Sequence, residues 1–123
     1  MKGISMGLYV DGFLLPVKKK NLAAYKKMAK LGCKIWMEHG ALSYVEAVGD
    51  DIKVKFGLPF HKLMKTKPSE VIVISFITYK SKADRNRIMK LVMKDPRLAK
   101  MEGAMPFDMN AMSFGGFKGL VQG

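Results

Sequence analysis

The run VIVISFITY, Val71 to Tyr79, decides the fold. It is built of β-branched and aromatic residues, the types that suit a pleated strand. Side chains alternate across a strand, so Val71, Val73, Ile77 and Tyr79 take one face and Ile72, Ile74 and Phe76 the other. Both faces are apolar, and both must therefore be covered.

Downstream, Ser81-x-x-Asp84 has the form of a helix-start box, and the spacing predicts a helix to about Lys94 with Ile88, Leu91 and Val92 facing inward. Asp95-Pro96 ends that helix and caps a short further turn through Met101. Residues 102–110 read as a loop, and Met112 to Val121 as a last, glycine-interrupted strand. Upstream, residues 49–69 contain Gly57, Pro59 and Pro68 and form an excursion with one short helical turn near Pro59–Lys65. Before it, Leu42 to Val48 reads as a strand. From Lys18 to His39 the period is helical: Leu22, Tyr25, Ala29, Gly32, Trp36 and His39 form an inward stripe, opposite Lys19, Ala23, Lys26, Lys27, Lys30 and Lys34. Gly40 stands where a helix ends in the left-handed conformation. Met6 to Phe13 alternates as a first strand, which Pro16 is expected to end.

The order β-α-β-β-α-β is that of an α+β, ferredoxin-like sandwich: a four-stranded antiparallel sheet with both helices on one face, in a single domain over residues 1–123. Two helices on one face leave the other side of VIVISFITY bare. That patch would exceed the roughly few hundred Å² of apolar surface a monomer tolerates. A second copy packed sheet to sheet is the simplest cover, so the expected partner is the chain itself, as a homodimer closing an α/β barrel.

Composition agrees with a folded globular domain, at 49% hydrophobic and 26% charged residues. A single cysteine, Cys33, excludes an intrachain disulfide. The opening MKGISMGLYVDGFLLPV has the look of a signal peptide, but Asp11, Gly12 and Pro16 interrupt its apolar run. With no run approaching the roughly 20 apolar residues of a membrane span, the expectation is a cytoplasmic protein with no membrane partner. The net charge of +12 is regional, for residues 18–39 and 80–101 carry all of the excess and the rest of the chain is balanced. Those are the two helices, so the charge points outward from the helical side.

The candidate site centres on KIWMEHGALSYVEA, Lys34 to Ala47. Trp36 and His39 end the inward stripe of the first helix; Tyr44 and Glu46 share a face of the next strand. Tyr9 and Asp11 share a face of the first strand. Together they describe an aromatic-walled cavity with a few polar groups, lying between the sheet and the helix end or inside the dimer barrel, in the usual form of a small-molecule site. Tyr9, Trp36 and Tyr44 are the candidate binding residues; His39, Asp11 and Glu46 are the candidate catalytic groups. A carboxylate buried in such a cavity is desolvated, which suits it to act as a general base. Structural readings stand beside these: Trp36 as core, His39 as a helix-end residue favoured by the macrodipole, and Asp11 and Glu46 paired with basic groups at the dimer interface.

No metal is expected, because His39 and His61 lack a ligand spacing and no second cysteine exists. No phosphate loop is present and nothing calls for a cofactor. The eleven methionines are scattered and read as adaptable core filler. Nucleic acid is the rival ligand, since the same element order builds an RNA-recognition module. VIVISFIT lacks the glycine and stacking aromatics of that module's third strand, which leaves non-specific contact through the lysine-rich helices.

Four ordered segments, YVDGFLLPV (Tyr9–Val17), KIWMEHGALSYVEAVGDD (Lys34–Asp51), VMKDPRL (Val92–Leu98) and MPFDMNAMSFGGF (Met105–Phe117), resemble the YbaA-like bacterial domain-of-unknown-function family. The resemblance covers nearly the whole chain. It implies a ferredoxin-like protomer pairing into the dimeric α/β-barrel superfamily. That superfamily includes cofactor-independent oxygenases and isomerases, so the chemistry it implies is proton abstraction from an acidic carbon.

Overall fold

A computed structural model of the chain describes residues 7–101 and 105–123. Strand β1 (Tyr9–Lys18) leads through a 3-10 turn to helix α1 (Leu22–Glu38), strand β2 (Ser43–Val48), the short helix α2 (Phe60–Leu63) and strand β3 (Glu70–Tyr79). Helix α3 (Lys82–Met93), the one-turn helix α4 (Pro96–Ala99) and strand β4 (Ser113–Lys118) complete it. The sheet is antiparallel in the order β2-β3-β1-β4. This is the ferredoxin-like α+β arrangement that the element order predicts.

The first strand runs further than expected, through Pro16 to Lys18, while its expected start at Met6 lies outside the described residues. Register explains the extension. β4 pairs with β1 only as far as Leu14 opposite Ser113, whereas β3 continues to Lys18 opposite Glu70. Beyond Leu14 one side of β1 is an edge, and an edge tolerates a residue without an N–H.

The helix-facing side of the sheet forms the core. Ile35 of α1 and Ile88 and Val92 of α3 pack with Ile77 and Tyr79 of β3. A second cluster joins Tyr25 of α1 to Leu15, Val17 and Val73. Ser81 caps α3 by accepting from the Asp84 N–H at 3.0 Å, and Asp95 caps α4 ahead of Pro96, as the sequence predicts. The inward stripe of α3 differs from expectation. Leu91 is 40% exposed, while Ile88 and Val92 are fully buried. Arg85, one turn before Ile88, is tied to Asp11 beneath the helix, so the inward stripe runs through Arg85, Ile88 and Val92, and Leu91 lies off it.

On the opposite side nothing within the described chain covers the centre of the sheet. Ile74 and Phe76 of β3, Val45 of β2 and Phe117 of β4 are 41%, 37%, 39% and 62% exposed. The pairing of Val45 with Phe76 and of Val10 with Phe117 puts them all on this one face. Ile72 is the exception: it is buried, beside the Gly49 turn whose N–H binds its carbonyl at 2.7 Å.

Candidate functional site

The site is framed by the turn between α1 and β2. Gly40, at φ +114°, ends α1 in a double-bonded cap: its N–H donates to the Met37 carbonyl at 3.2 Å, and the Ala41 N–H reaches the Trp36 carbonyl at 3.1 Å. Leu42 then donates to Thr78 at 2.8 Å and starts β2 along β3. Helix and strand therefore run back over one another. Trp36 meets Tyr44 with ring centroids 6.1 Å apart, and further along the hairpin Tyr25 meets Glu46.

Glu46 accepts two phenolic hydroxyls, one on each oxygen: Tyr44 donates at 2.6 Å, and Tyr25 donates to the other oxygen. Burial pushes both phenols well above their ordinary range, and the hydrogen bond to Glu46 and its charge push them further. Both tyrosines are thus held as donors across the physiological range.

This triad forms part of the wall of a cavity of about 400 Å³ between the helices and the sheet. Six aromatic rings surround it in three pairs. Phe13 stacks on Phe114 at 5.0 Å, Tyr25 meets Phe107 edge-on at 5.7 Å, and Trp36 tilts against Tyr44. Helices α1 and α3 add Met28, Met89 and Met93, and the chain after α4 adds Met101, Met105, Met109 and Met112. Most of the methionines that look scattered along the sequence thus converge on one cavity. Among the described residues around it, Glu46 alone is charged. Ser75, which faces Glu46 across the β2–β3 ladder, adds a hydroxyl. A second, outer groove shares Tyr25, Tyr44 and Glu46 and is edged by Lys26, Lys30 and Cys33.

The candidate residues thus divide. Trp36, Tyr44 and Glu46 come together at the cavity; Tyr9, Asp11 and His39 do not line it. Asp11 is fully buried, and Arg85 grips it with Nε 3.1 Å from both carboxylate oxygens and a terminal nitrogen 3.0 Å from one of them. The Arg85 guanidinium lies over the Tyr9 ring, 5.0 Å from its centroid. Asp11 therefore pairs with a basic group of its own chain, not with one across an interface. Tyr79, raised by burial and then by the Asp11 charge, accepts from Trp36 Nε1 at 3.1 Å and links this pair to the cavity wall. His39 is the C-cap of α1 and lies 3.0 Å from Asp95, whose carboxylate also accepts from Arg97. Arg97, and then His39, hold the Asp95 carboxyl well below the usual range. Glu38 is exposed but also meets Arg97, at 2.8 Å. These contacts join the end of α1 to α4.

Lys26, Lys27, Lys30 and Lys34 of α1, Lys82, Arg87 and Lys90 of α3 and Lys94 at its C-terminal cap are exposed on the outer side of the helices. Among the described residues, no helix is long and apolar enough to cross a membrane, and no group of three or more His, Cys, Asp or Glu is placed to hold a metal ion. Phe13, Tyr25, Phe107, Phe114 and the converging methionines are among the cavity residues that are not site candidates in the sequence. Tyr25 carried the clearest signal, as a polar-tipped aromatic on the inward stripe opposite a strand bearing a carboxylate.

The family model described as "Protein of unknown function (DUF1428)" matches residues 8–109. The protein named "Uncharacterized protein YbaA" from Escherichia coli K12 is 34% identical over 113 residues, covering 92% of this chain and 97% of that protein. The same holds for the protein of that name from Shigella flexneri. Among solved structures, a dimeric ferredoxin-like protein from an uncultured marine organism superposes with a TM-score of 0.52 at 13% identity, over 94% of this chain and 95% of that one. That likeness shows the fold.

Proposed function

The chain belongs to the DUF1428 family, and from that premise we propose a homodimer whose protomers pair by their uncovered sheet faces and each bind a small organic molecule between helices and sheet. The observation that carries the binding reading is the cavity itself. It has six aromatic rings and a wall of thioethers and, among the described residues, a single carboxylate whose two oxygens already hold tyrosine hydroxyls. Pockets of this kind, mostly apolar with a few convergent polar groups, are the usual form of small-molecule sites. Pairing is supported by the exposed Val45, Ile74, Phe76 and Phe117, and by the solved neighbour's description as dimeric.

In this reading Glu46 is the candidate base for removing a proton from an acidic carbon, and Tyr25 and Tyr44 are the donors that receive developing negative charge on the ligand. Asp11 and His39 act in holding the fold, through Arg85 and Asp95. The test is titration with the neutral fluorophore N-phenyl-1-naphthylamine. Saturable enhancement at one site per protomer is expected, and Ala29→Phe, which fills the cavity from α1, should abolish it while circular dichroism stays unchanged. A folded wild type that shows no saturable binding would refute the reading.

A further inference from the structure

We propose that the cavity selects a lipophilic organic cation, such as an aryl-alkyl quaternary ammonium, over a neutral or anionic molecule of the same shape. The inference rests on the small-molecule reading above and narrows its ligand class.

Charge is the first reason. The chain carries +12 overall, yet among the described residues lining this cavity Glu46 is the only charged one, and no Lys, Arg or His lines it. Glu46 has no basic partner among the described ion pairs; its two partners are neutral phenols held protonated. Among the described residues, the two buried carboxylates each have a cation: Asp11 has Arg85, and Asp95 has Arg97 and His39. Among the described residues, Glu46 is thus a half-buried carboxylate, inside an aromatic cavity, that has no cation within ion-pair distance. A cationic ligand in the cavity would lie beside this carboxylate and supply the opposite charge it lacks.

The walls are the second reason. Phe13, Tyr25, Trp36, Tyr44, Phe107 and Phe114 present ring faces and edges to one space. Ring faces attract cations, and aromatic cages are the established means of holding quaternary ammonium groups. The thioethers around them are polarisable and unbranched, so they mould to ligands of irregular outline. A quaternary ammonium spreads its charge over a methylated surface and carries no N–H donors. It therefore asks for no more hydrogen-bond acceptors than a site whose carboxylate oxygens each already hold a phenol can offer.

The opposing field comes from the lysines on the outer faces of α1 and α3. At physiological ionic strength it is screened over about 8 Å, whereas Glu46 and the rings act in contact. An anion would gain from the lysines only in the outer groove, where Lys26 and Lys30 stand, and would face Glu46 from either side.

The experiment compares three isosteres by displacement of N-phenyl-1-naphthylamine and by calorimetry: (1-naphthylmethyl)trimethylammonium, its neutral tert-butyl carbon analogue, and 1-naphthylacetate. The expected result is at least tenfold tighter binding of the cation than of the neutral analogue, with the anion weakest. Glu46→Gln should reduce the cation's advantage over the neutral analogue at least fivefold, in a variant that circular dichroism shows to be folded. Equal or tighter binding of the neutral analogue or the anion by the wild type overturns the inference and leaves the small-molecule reading standing. An unchanged cation preference in a folded Glu46→Gln variant also overturns it. Failure of every probe, the fluorophore included, removes both.

Discussion

Replacing Arg85 by Met should be among the most damaging single changes this fold can suffer. Asp11 is 0% exposed and receives three N–H···O contacts of 3.0–3.1 Å from Arg85. Removing the guanidinium strands a carboxylate with no route to water, and breaking a buried pair in this way costs about 3–5 kcal/mol. Against a typical stability of about 5–15 kcal/mol, that is a large share. With a urea m-value of about 1.5 kcal/mol/M, the midpoint should fall by about 2–3 M. The reverse change is milder. The Arg85 side chain is 19% exposed, so in Asp11→Ala the guanidinium can turn towards solvent. The double variant Asp11→Leu/Arg85→Met should recover most of the loss, because no charge remains buried. By contrast Arg87→Met, which breaks the exposed pair with Asp84, should cost at most about 1 kcal/mol. Urea titration followed by circular dichroism measures all four. If Arg85→Met loses no more than Arg87→Met, the claim that Asp11 depends on this pairing is wrong.

Tyr25, Tyr44 and Tyr79 have raised folded-state pKa values, so the stability they contribute is fully present below about pH 10 and declines as pH rises beyond it. Absorbance at 295 nm should therefore show these three ionising only as the protein unfolds in alkali, and their reversible ionisation near pH 10 in a folded chain would contradict the buried triad. Asp95 has the opposite sign: its folded-state pKa is lowered, so its contribution is present above about pH 4 and is lost as acidity increases. The Tm difference between wild type and Asp95→Asn should narrow from pH 6 to pH 2, and a constant difference would argue against the Arg97 and His39 contacts. Gly40→Ala should destabilise by about 1–3 kcal/mol, since Gly40 sits at φ +114° and a Cβ there would lie 3.2 Å from Arg87; thermal melts decide it, and no loss would mean that the cap relaxes.

The parts of the fold that were legible are those fixed by local chemistry. VIVISFITY announced both of its faces, Ser81 and Asp95 announced their helices, and Gly40 announced its turn, because each acts within a few residues of itself. Pro16 misled, since whether a strand tolerates proline depends on where its neighbour stops, and β4 is about a hundred residues away in the chain. The Asp11–Arg85 pair likewise spans 74 residues, and composition alone cannot choose Arg85 from among the basic residues of α3. At the site, Trp36, Tyr44 and Glu46 were found because they flank one turn. Tyr25 was within reach of simple geometry. Fifteen helical residues descend about 22 Å and the strand beyond Gly40 returns about 3.3 Å per residue, so Glu46 comes back level with the early turns of α1. The methionines could not be foreseen in this way. They stand at positions from 28 to 112, on α1, on α3 and along the chain after α4, and only the packed structure gathers them.

Sedimentation equilibrium tests the central claim most directly, which is that a strand apolar on both sides must have both sides covered. The account predicts a species of twice the 13.8 kDa chain mass at micromolar concentration, and a folded 13.8 kDa protomer for Phe76→Glu. A wild type that sediments as a single protomer at high concentration, with Phe76 and Ile74 open to water, would contradict it.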